Sequence, residues 1–573
     1  MVRIIRREVS SEPLPGGEHL PPLIQRLYQA RGVQHADEVT YSLKKLSHAD
    51  AMPGIDQAAA LIIHAAGKHQ KIFIVGDFDA DGATATALMV RVLRQIGATD
   101  VHYIVPNRFD YGYGLSAELV DELARHDCQL IITVDNGISS IQGVKKAIDL
   151  GMQVVITDHH LPPETLPPAD AIVNPNLDSS DFGSPSLAGV GVAFYLLTRV
   201  ISRLNNKNDY AHLTTDHVQL GQFLDLVALG TVADVVTLDR NNRILIHSGL
   251  KRLRHGAGNV GLMALCEVAG CDHRRADAQM LAFMLAPRLN AAGRLQDMRV
   301  GIDMLLTDDY DQALQLAGEL NTINKARKAI QANMQDMADS VIKNLKKDDK
   351  LSTAICLYHR RWHQGVVGLL ASKVKEYTQR PVVAFADEGE DSDWVKGSAR
   401  SIEGLHIRDA LVAVDCQNPG LIKKFGGHAM AAGLTLKKDH MAEFKKQLCR
   451  VVNDWVKDLP KHQQVNSDGA VPVEDLSIFM AQQLVDAGPW GAGFEPPLFD
   501  DYFIIKEKKA VAEIHTRLKL QTMDLSKQID AIAFNFIPQQ FPETNEKIHL
   551  CYEMQVNEFR NRKRLQLLIR HIV

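Results

Sequence analysis

The chain has 573 residues, of which 46% are hydrophobic and 23% charged, with a formal net charge of −5. It is too long for a single hydrophobic core and too apolar for a disordered chain, so about three or four domains are expected. The mild negative charge excludes a polycation. Any nucleic-acid binding must therefore rest on local basic patches or on metal ions held by acidic groups.

Seven cysteines lie scattered from Cys128 to Cys551 without a C-x-x-C pair. They read as reduced thiols in a cytosolic protein. The opening MVRIIRREVSSEP has no apolar signal core. No run approaches the ~18 apolar residues of a membrane span. A cytoplasmic protein with no membrane partner is the expectation.

Residues 1–55 read as an irregular, charge-rich lead-in followed by short helices. Beyond them, apolar runs at 72–75, 101–105, 130–134, 153–157 and 171–173 alternate with helical patterns at 83–95, 117–126 and 142–150. That alternation predicts a parallel, doubly wound α/β sheet. Residues 220–305 read as mostly helical. From 311 to 347, Leu316, Leu320, Ile323, Ala326, Ile330, Met334, Met337, Val341 and Leu345 form one helical stripe. At 1.5 Å per residue this helix runs on the order of 50 Å, enough to bridge two domains.

A second α/β block follows, with strands at 353–358 and 382–386 around a helix at 366–377. A polar stretch at 451–465 suggests a boundary. Five short strands at 503–505, 518–520, 531–534, 548–552 and 565–569 then suggest a small barrel, and five strands suit an OB-fold. The expected organisation is a lead-in over 1–55, a first α/β domain over 56–305 and a connecting helix over 306–348. A smaller α/β domain over 349–455 and a β-barrel over 462–573 complete it.

The chemistry concentrates at strand ends. Asp77-Phe78-Asp79-Ala80-Asp81-Gly82 directly follows the first strand. Three unpaired carboxylates there would repel one another, and a divalent cation removes the conflict. Gly82 is expected to allow the turn into the next helix. An EF-hand loop opens similarly, but Leu88 stands where that loop needs Glu, and a strand precedes it.

Asp135-Asn136-Gly137 ends the third strand and Asp158-His159-His160 the fourth, and parallel sheets place ligands at this edge. Asp234 sits in the apolar run Val232-Ala233-Asp234-Val235, where a carboxylate needs a partner or serves as a cap. Asp and His without Cys favour Mg²⁺ or Mn²⁺ over structural zinc, with His tilting toward Mn²⁺. Two such ions suit metal-assisted phosphodiester hydrolysis.

On these motifs the chain resembles the DHH phosphoesterase superfamily. Val105-Pro106-Asn107-Arg108-Phe109, Gly112-Tyr113-Gly114-Leu115, Gly230-Thr231-Val232-Ala233-Asp234-Val235-Val236 and Arg288-Leu289-Asn290-Ala291-Ala292-Gly293-Arg294 are similar to its exonuclease branch. Trp362-His363-Gln364-Gly365-Val366-Val367-Gly368 and Gly426-Gly427-His428-Ala429-Met430-Ala431-Ala432-Gly433 resemble the DHHA1 substrate domain. The resemblance runs from about residue 60 to the C-terminus. It implies a catalytic DHH domain, a DHHA1 domain and an OB-fold.

It also implies metal ligation by Asp79, Asp81, Asp135, His159 and Asp234. Asp77, Asp158 and His160 would be catalytic, with Asp77 as a further ligand or water-orienting group and His160 contacting the scissile phosphate or supporting the site. A 5′-phosphate pocket between the two α/β domains would use Arg108, Arg288, Ser398, Arg400, Gly427 and His428. Asn107, Asn290, Arg294 and His363 would add substrate contacts. Guanidinium forks and backbone N–H groups suit a terminal phosphate. The chain departs from the family at Thr237, where Pro is frequent, and at Ala399, where Gly is frequent.

The implied activity is release of 5′ mononucleotides from single-stranded DNA, with Mn²⁺ or Mg²⁺ as a pair of ions. The implied setting is recombination and repair, by a monomer working beside single-strand-binding protein and a repair helicase. Basic runs at 251–255, 273–275 and 560–564 are candidate DNA contacts, and Tyr552, Phe534, Phe536 and Phe559 candidate stacking groups. Each is also readable as a solvated face or as barrel core. Two other functions share parts of this pattern. A phosphodiesterase of short oligonucleotides or cyclic dinucleotides would not need the last 110 or so residues, and a non-catalytic replication scaffold would not need the acids.

Overall fold

The structure, a computed structural model, describes residues 3–10, 12–106, 114–206, 209–347, 352–389, 392–456, 464–512, 514–559 and 562–573. The apolar runs of the first α/β region form one parallel sheet. Its order is Val101–Ile104, Ile72–Val75, Leu130–Val134, Gln153–Thr157 and Ala171–Val173. Central parallel strands are covered on both faces, which is why they read as unbroken apolar runs. Ile72, Ile74, Ile132 and Val134 face the helices Ala80–Gln95 and Gly189–Asn206, within the larger core. Phe73, Val75 and Ile131 face the other way, onto Leu119, Leu123, Val144 and Ala147 of the helices Ala117–Arg125 and Ile141–Asp149.

The chain divides into two compact units, Ile323–Val465 and, together, Ile4–Thr322 with Asn466–Val573. The division falls inside the helix Tyr310–Lys347, which spans 38 residues. Ala313, Ala317, Leu320, Ile323 and Met334 are buried along it, whereas Ala326 of the expected stripe is exposed.

In the unit Ile323–Val465 the sheet order is Lys424–Gly427, Ala431–Lys437, Trp394–Arg400, Val382–Asp387 and Ile355–Tyr358. Of its four pairings, the one between Val382–Asp387 and Ile355–Tyr358 is parallel and the others antiparallel. Sequence patterning missed the three antiparallel strands. Trp394–Arg400 alternates buried and half-buried positions but fills them with Gly, Ser and Ala as well as Val. The polar stretch at 451–465 is corrected in part: its first residues close the helix Met441–Trp455, whose inward face is Phe444, Leu448, Val451 and Val452.

The C-terminal strands Phe499–Val511, His515–Thr522, Gln528–Ala533, Arg562–Ile572 and Lys547–Phe559 close into a barrel in that order. Its interior is continuous with the larger core of the same unit. The lead-in helps hold the two parts together. The buried Arg31 guanidinium pairs with buried Asp468 at 3.0 Å, Arg6 reaches Asp500 at 2.8 Å, and the Tyr28 hydroxyl donates to the Ala487 carbonyl at 2.9 Å. Tyr552, expected as a possible stacking group, is fully buried in the barrel against Phe499 and Phe503. Phe536 is half-buried, Phe534 is 52% exposed, and the Phe559 side chain lies outside the described residues.

Candidate metal centre

The sheet order changes direction between its first strand, Ile72–Val75, and its third, Leu130–Val134, which lie side by side. Loops leaving such a pair diverge and open a crevice at the carboxyl edge. Asp77 and Asp79 leave the first strand there, Asp135 the third, and Asp158 and His159 the fourth. Asn136 fastens the edge. Its side-chain N–H group donates to the Val75 carbonyl at 3.0 Å and to the Val134 carbonyl at 2.9 Å. Asp234 arrives from elsewhere, at the C-cap of the buried helix Leu224–Ala233.

Side chains from these elements converge in three interlocking groups. They are Asp77, Asp79 and Asp135; Asp81, His159 and Asp234; and Asp135, His159 and His160, each with candidate ligand atoms within 4.8 Å of one another. His159 Nε2 lies 3.1 Å from Asp135 Oδ1 and 3.5 Å from Asp234 Oδ2. Asp77 Oδ1 is buried without a hydrogen-bond partner. Carboxylates and imidazoles so gathered, with an acceptor left over, fit hard divalent cations that take oxygen and some nitrogen ligands.

Asp79 and Asp81 are held from behind. Asp79 caps the helix Ala80–Gln95, its Oδ1 accepting from Asp81 N–H at 2.9 Å and Gly82 N–H at 3.0 Å. Asp81 is 1% exposed and meets the N-terminus of the helix Gly189–Asn206, accepting from Gly189 N–H at 2.7 Å and Val190 N–H at 2.9 Å. Asp158 belongs to none of the three groups. Its Oδ2 accepts from Ile138 N–H at 2.9 Å, and its Oδ1 takes both His N–H groups and lies 2.6 Å from His160 Nδ1. It therefore orients His160. Asn290 Oδ1 accepts from Ala80 N–H at 2.7 Å, so it braces the acidic loop.

Glycines make the close approach possible. A Cβ on Gly189 would stand 2.6 Å from Asp135 Cβ, and one on Gly230 would stand 2.7 Å from Asp81 Oδ1. A Cβ on Gly293 would overlap the Phe78 carbonyl. Gly82 corrects an expectation: it lies inside the first turn of its helix, where a Cβ would meet the Asp77 backbone at 2.6 Å. Its part is room for Asp77, with no turn to make. Gly189 was not singled out from sequence, because nothing near it in the chain is a ligand type.

Crowding shows in the electrostatics. Burial, and then the charge of Asp79, pushes Asp81 up to about 7. Burial and then Asp81 push Asp234 up to about 9. Asp77 and Asp135 are raised well above the carboxylate range by burial and by their acidic neighbours. Burial alone would lower His160, but its hydrogen bond and attraction to Asp158 override it and lift the ring to about 9. Without a cation this cluster of acids is destabilising, as expected of ligands.

The other expected residues fall on both units and are described in each by itself. Arg288 is buried, with Nε on Asn321 Oδ1 at 3.1 Å and a guanidinium N–H on the Met284 carbonyl. Arg294 lies at the end of the same helix, Ala286–Leu295. Asn107 and Arg108 lie outside the described residues.

In the unit Ile323–Val465, Arg400 Nη1 donates to Ser398 Oγ at 2.9 Å and Nε to Ser372 Oγ at 3.1 Å. A Cβ on Gly368 would meet Arg400 Nη2 at 2.8 Å. Gly427 has φ +142, and His428 N–H donates to the Ala431 carbonyl at 2.8 Å. His363 Nδ1 accepts from Gly365 N–H at 3.1 Å, ahead of the helix Val367–Thr378. No helix among the described residues is long and apolar enough to cross a membrane.

Three family models match the chain: the DHH family N-terminal domain over residues 71–231, the DHHA1 domain over 350–458 and the RecJ OB domain over 467–571. The single-stranded-DNA-specific exonuclease RecJ of Escherichia coli is 45% identical over 574 residues, covering 100% of this chain and 99% of that protein. The Thermus thermophilus protein of the same name is 32% identical, covering 94% and 75%. Among solved structures, RecJ from Thermus thermophilus in complex with Mn²⁺ matches with a TM-score of 0.81 at 28% identity, covering 100% of this chain and 79% of that one. The Mg²⁺ complex matches with a TM-score of 0.74. With its acidic crevice, its three matched domains and relatives of this similarity over the full length, the chain belongs to the RecJ family of metal-dependent, single-stranded-DNA-specific exonucleases.

Proposed function

We propose that the chain removes 5′ mononucleotides, working inward from the 5′ end of single-stranded DNA, using two Mn²⁺ or Mg²⁺ ions. The observation that carries this reading is the interlocking of the three ligand groups through Asp135 and His159. Asp77, Asp79 and Asp135 would hold one ion, and Asp81, His159 and Asp234 the other. When bound, such a pair supplies an activated water and offsets charge on the phosphate.

The chain's own groups do the rest. Asp158 keeps the His160 ring charged and oriented, and the imidazolium donates to the anionic phosphate beside the ligands. Asn290, Gly82, Gly189, Gly230 and Gly293 fix the acids before substrate arrives. Arg108, Arg288, Ser398, Arg400, Gly427 and His428 are proposed as contacts to the 5′-terminal phosphate, and Asn107, Asn290, Arg294 and His363 as further contacts to the DNA. The domain limits proposed are 56–305 for the DHH domain, 306–348 for the connecting helix, 349–455 for DHHA1 and 462–573 for the OB-fold. We also propose a cytoplasmic monomer that acts in repair beside single-strand-binding protein and a helicase.

The test uses 5′-labelled and 3′-labelled single strands with Mn²⁺, Mg²⁺ or EDTA, beside Asp135→Ala. Immediate release of labelled 5′ mononucleotide, gradual shortening of the 3′-labelled strand, and loss of both with EDTA or the variant are expected. Intact strands alongside hydrolysed dinucleotides would favour the small-substrate phosphodiesterase. No turnover of either would leave the scaffold.

A further inference from the structure

Val235, the residue after Asp234, has φ +61. This is the left-handed region, which a β-branched side chain adopts only under constraint. The side chain is 70% exposed, so little buried apolar surface offsets the conformation. A second member of the centre, Asp135, has φ +62. Aspartate visits that region readily, and valine does not.

The constraint is visible on both sides of Val235. Upstream, the buried helix Leu224–Ala233 ends with Asp234 N–H on the Gly230 carbonyl at 3.0 Å and Val235 N–H on the Val232 carbonyl at 3.3 Å. Downstream, the Thr237 carbonyl accepts from Asn242 Nδ2 at 2.9 Å, Leu238 N–H donates to the Ala492 carbonyl at 2.7 Å, and the Leu238 carbonyl accepts from Arg243 Nη1 at 2.8 Å. Between these anchors the chain has Val235 and Val236 in which to leave the helix axis. The reversal at Val235 lets the chain reach its downstream anchor while the Asp234 carboxylate stays 3.5 Å from His159 Nε2.

We propose that the left-handed backbone at Val235 is a positioning device for the metal centre: it locks Asp234 among the ligands before any ion binds. Valine occupies a narrow well there, and glycine would occupy a broad one. The locking lies in the backbone, and the exposed isopropyl group is incidental to it. The inference rests on Asp234 being a metal ligand.

The experiment titrates Mn²⁺ calorimetrically into the full chain as wild type, Val235→Gly, Val235→Asn and Asp234→Ala, and melts each in EDTA. Val235→Gly is expected to bind Mn²⁺ roughly two- to fivefold more weakly, the equivalent of the backbone freedom glycine regains. Its melting point in EDTA should not fall, because relief of strain offsets that freedom. Val235→Asn, which tolerates the left-handed region, should bind within about twofold of wild type. Wild-type affinity in Val235→Gly would overturn the proposal, as would weakening in Val235→Asn equal to that in Val235→Gly. If Asp234→Ala binds like wild type, the ligand assignment itself fails, a result distinct from either.

Discussion

Substituting Gly189 by alanine tests whether steric room at the crevice sets the geometry of the acids. The added Cβ would stand 2.6 Å from Asp135 Cβ and 2.7 Å from its Oδ1. Carbon atoms in contact prefer about 3.5–4.0 Å, so one partner must move by about 1 Å. Asp135 has little freedom, with its backbone at φ +62 and its N–H on the Thr157 carbonyl at 3.0 Å. The alternative is retreat of the helix Gly189–Asn206, which would pull Gly189 and Val190 N–H groups away from Asp81. Either way a carboxylate of the centre is displaced. Overpacking of this kind costs about 1–3 kcal/mol, and a 1 Å error at a reacting centre costs on the order of 100-fold in rate. The assay is kcat/KM on a 3′-labelled single strand with Mn²⁺, beside Gly318→Ala, where an added Cβ meets nothing within 4 Å. A loss near 100-fold in Gly189→Ala with an unchanged control is expected. Full activity and unchanged Mn²⁺ affinity in Gly189→Ala would refute the steric reasoning.

Asp158→Asn should keep the His160 ring in place but remove the charge that holds it near 9; a loss of about 100-fold in kcat is expected, with the alkaline limb of the pH–rate profile moving to lower pH. In EDTA, thermal stability should fall as pH rises. Asp81 and Asp234 titrate at about 7 and about 9 in the fold but near ~4 when unfolded, so their protonated forms stabilise the fold fully below ~4 and that contribution is lost as pH climbs through 7 and 9. Differential scanning calorimetry from pH 5 to 9 reads the slope, and added Mn²⁺ should reverse it, because ligation requires the deprotonated acids. Arg31→Ala would remove one of the two guanidinium partners of buried Asp468 and leave Arg7 at 3.2 Å, and a loss of about 1–3 kcal/mol is expected by chemical denaturation.

The acids at 77, 79, 81, 135 and 234 were legible as a candidate set because they cluster at the ends of apolar runs, where several close carboxylates need a cation to offset their repulsion. The parallel sheet was legible for the same reason, since its strands are buried on both faces and carry no alternation to confuse with helix. What escaped depends on contacts across the fold. Gly189 matters because the Gly189–Asn206 helix brings it against Asp135, and a lone glycine in Leu187-Ala188-Gly189-Val190 carries no such mark. Asp158 was expected as a catalytic group, and what its strand-end position could not show is that its hydrogen bonds run to Ile138 and His160. The antiparallel strands of the smaller unit were hidden by small residues such as Gly397 and Ala399 at inward positions, where neither period stands out. Tyr552 shows the opposite failure: an aromatic residue in a DNA-binding type of barrel invites a stacking role, while burial assigns it to the core.

The candidate ligands stretch along the chain from Asp77 to Asp234, and the last of them emerges from a helix that packs on the first. During synthesis, therefore, the acids of the first strand exist long before the group that completes their set. A nascent chain halted anywhere before Asp234 carries most of the candidate ligand set and lacks the carboxylate that completes the group with Asp81 and His159.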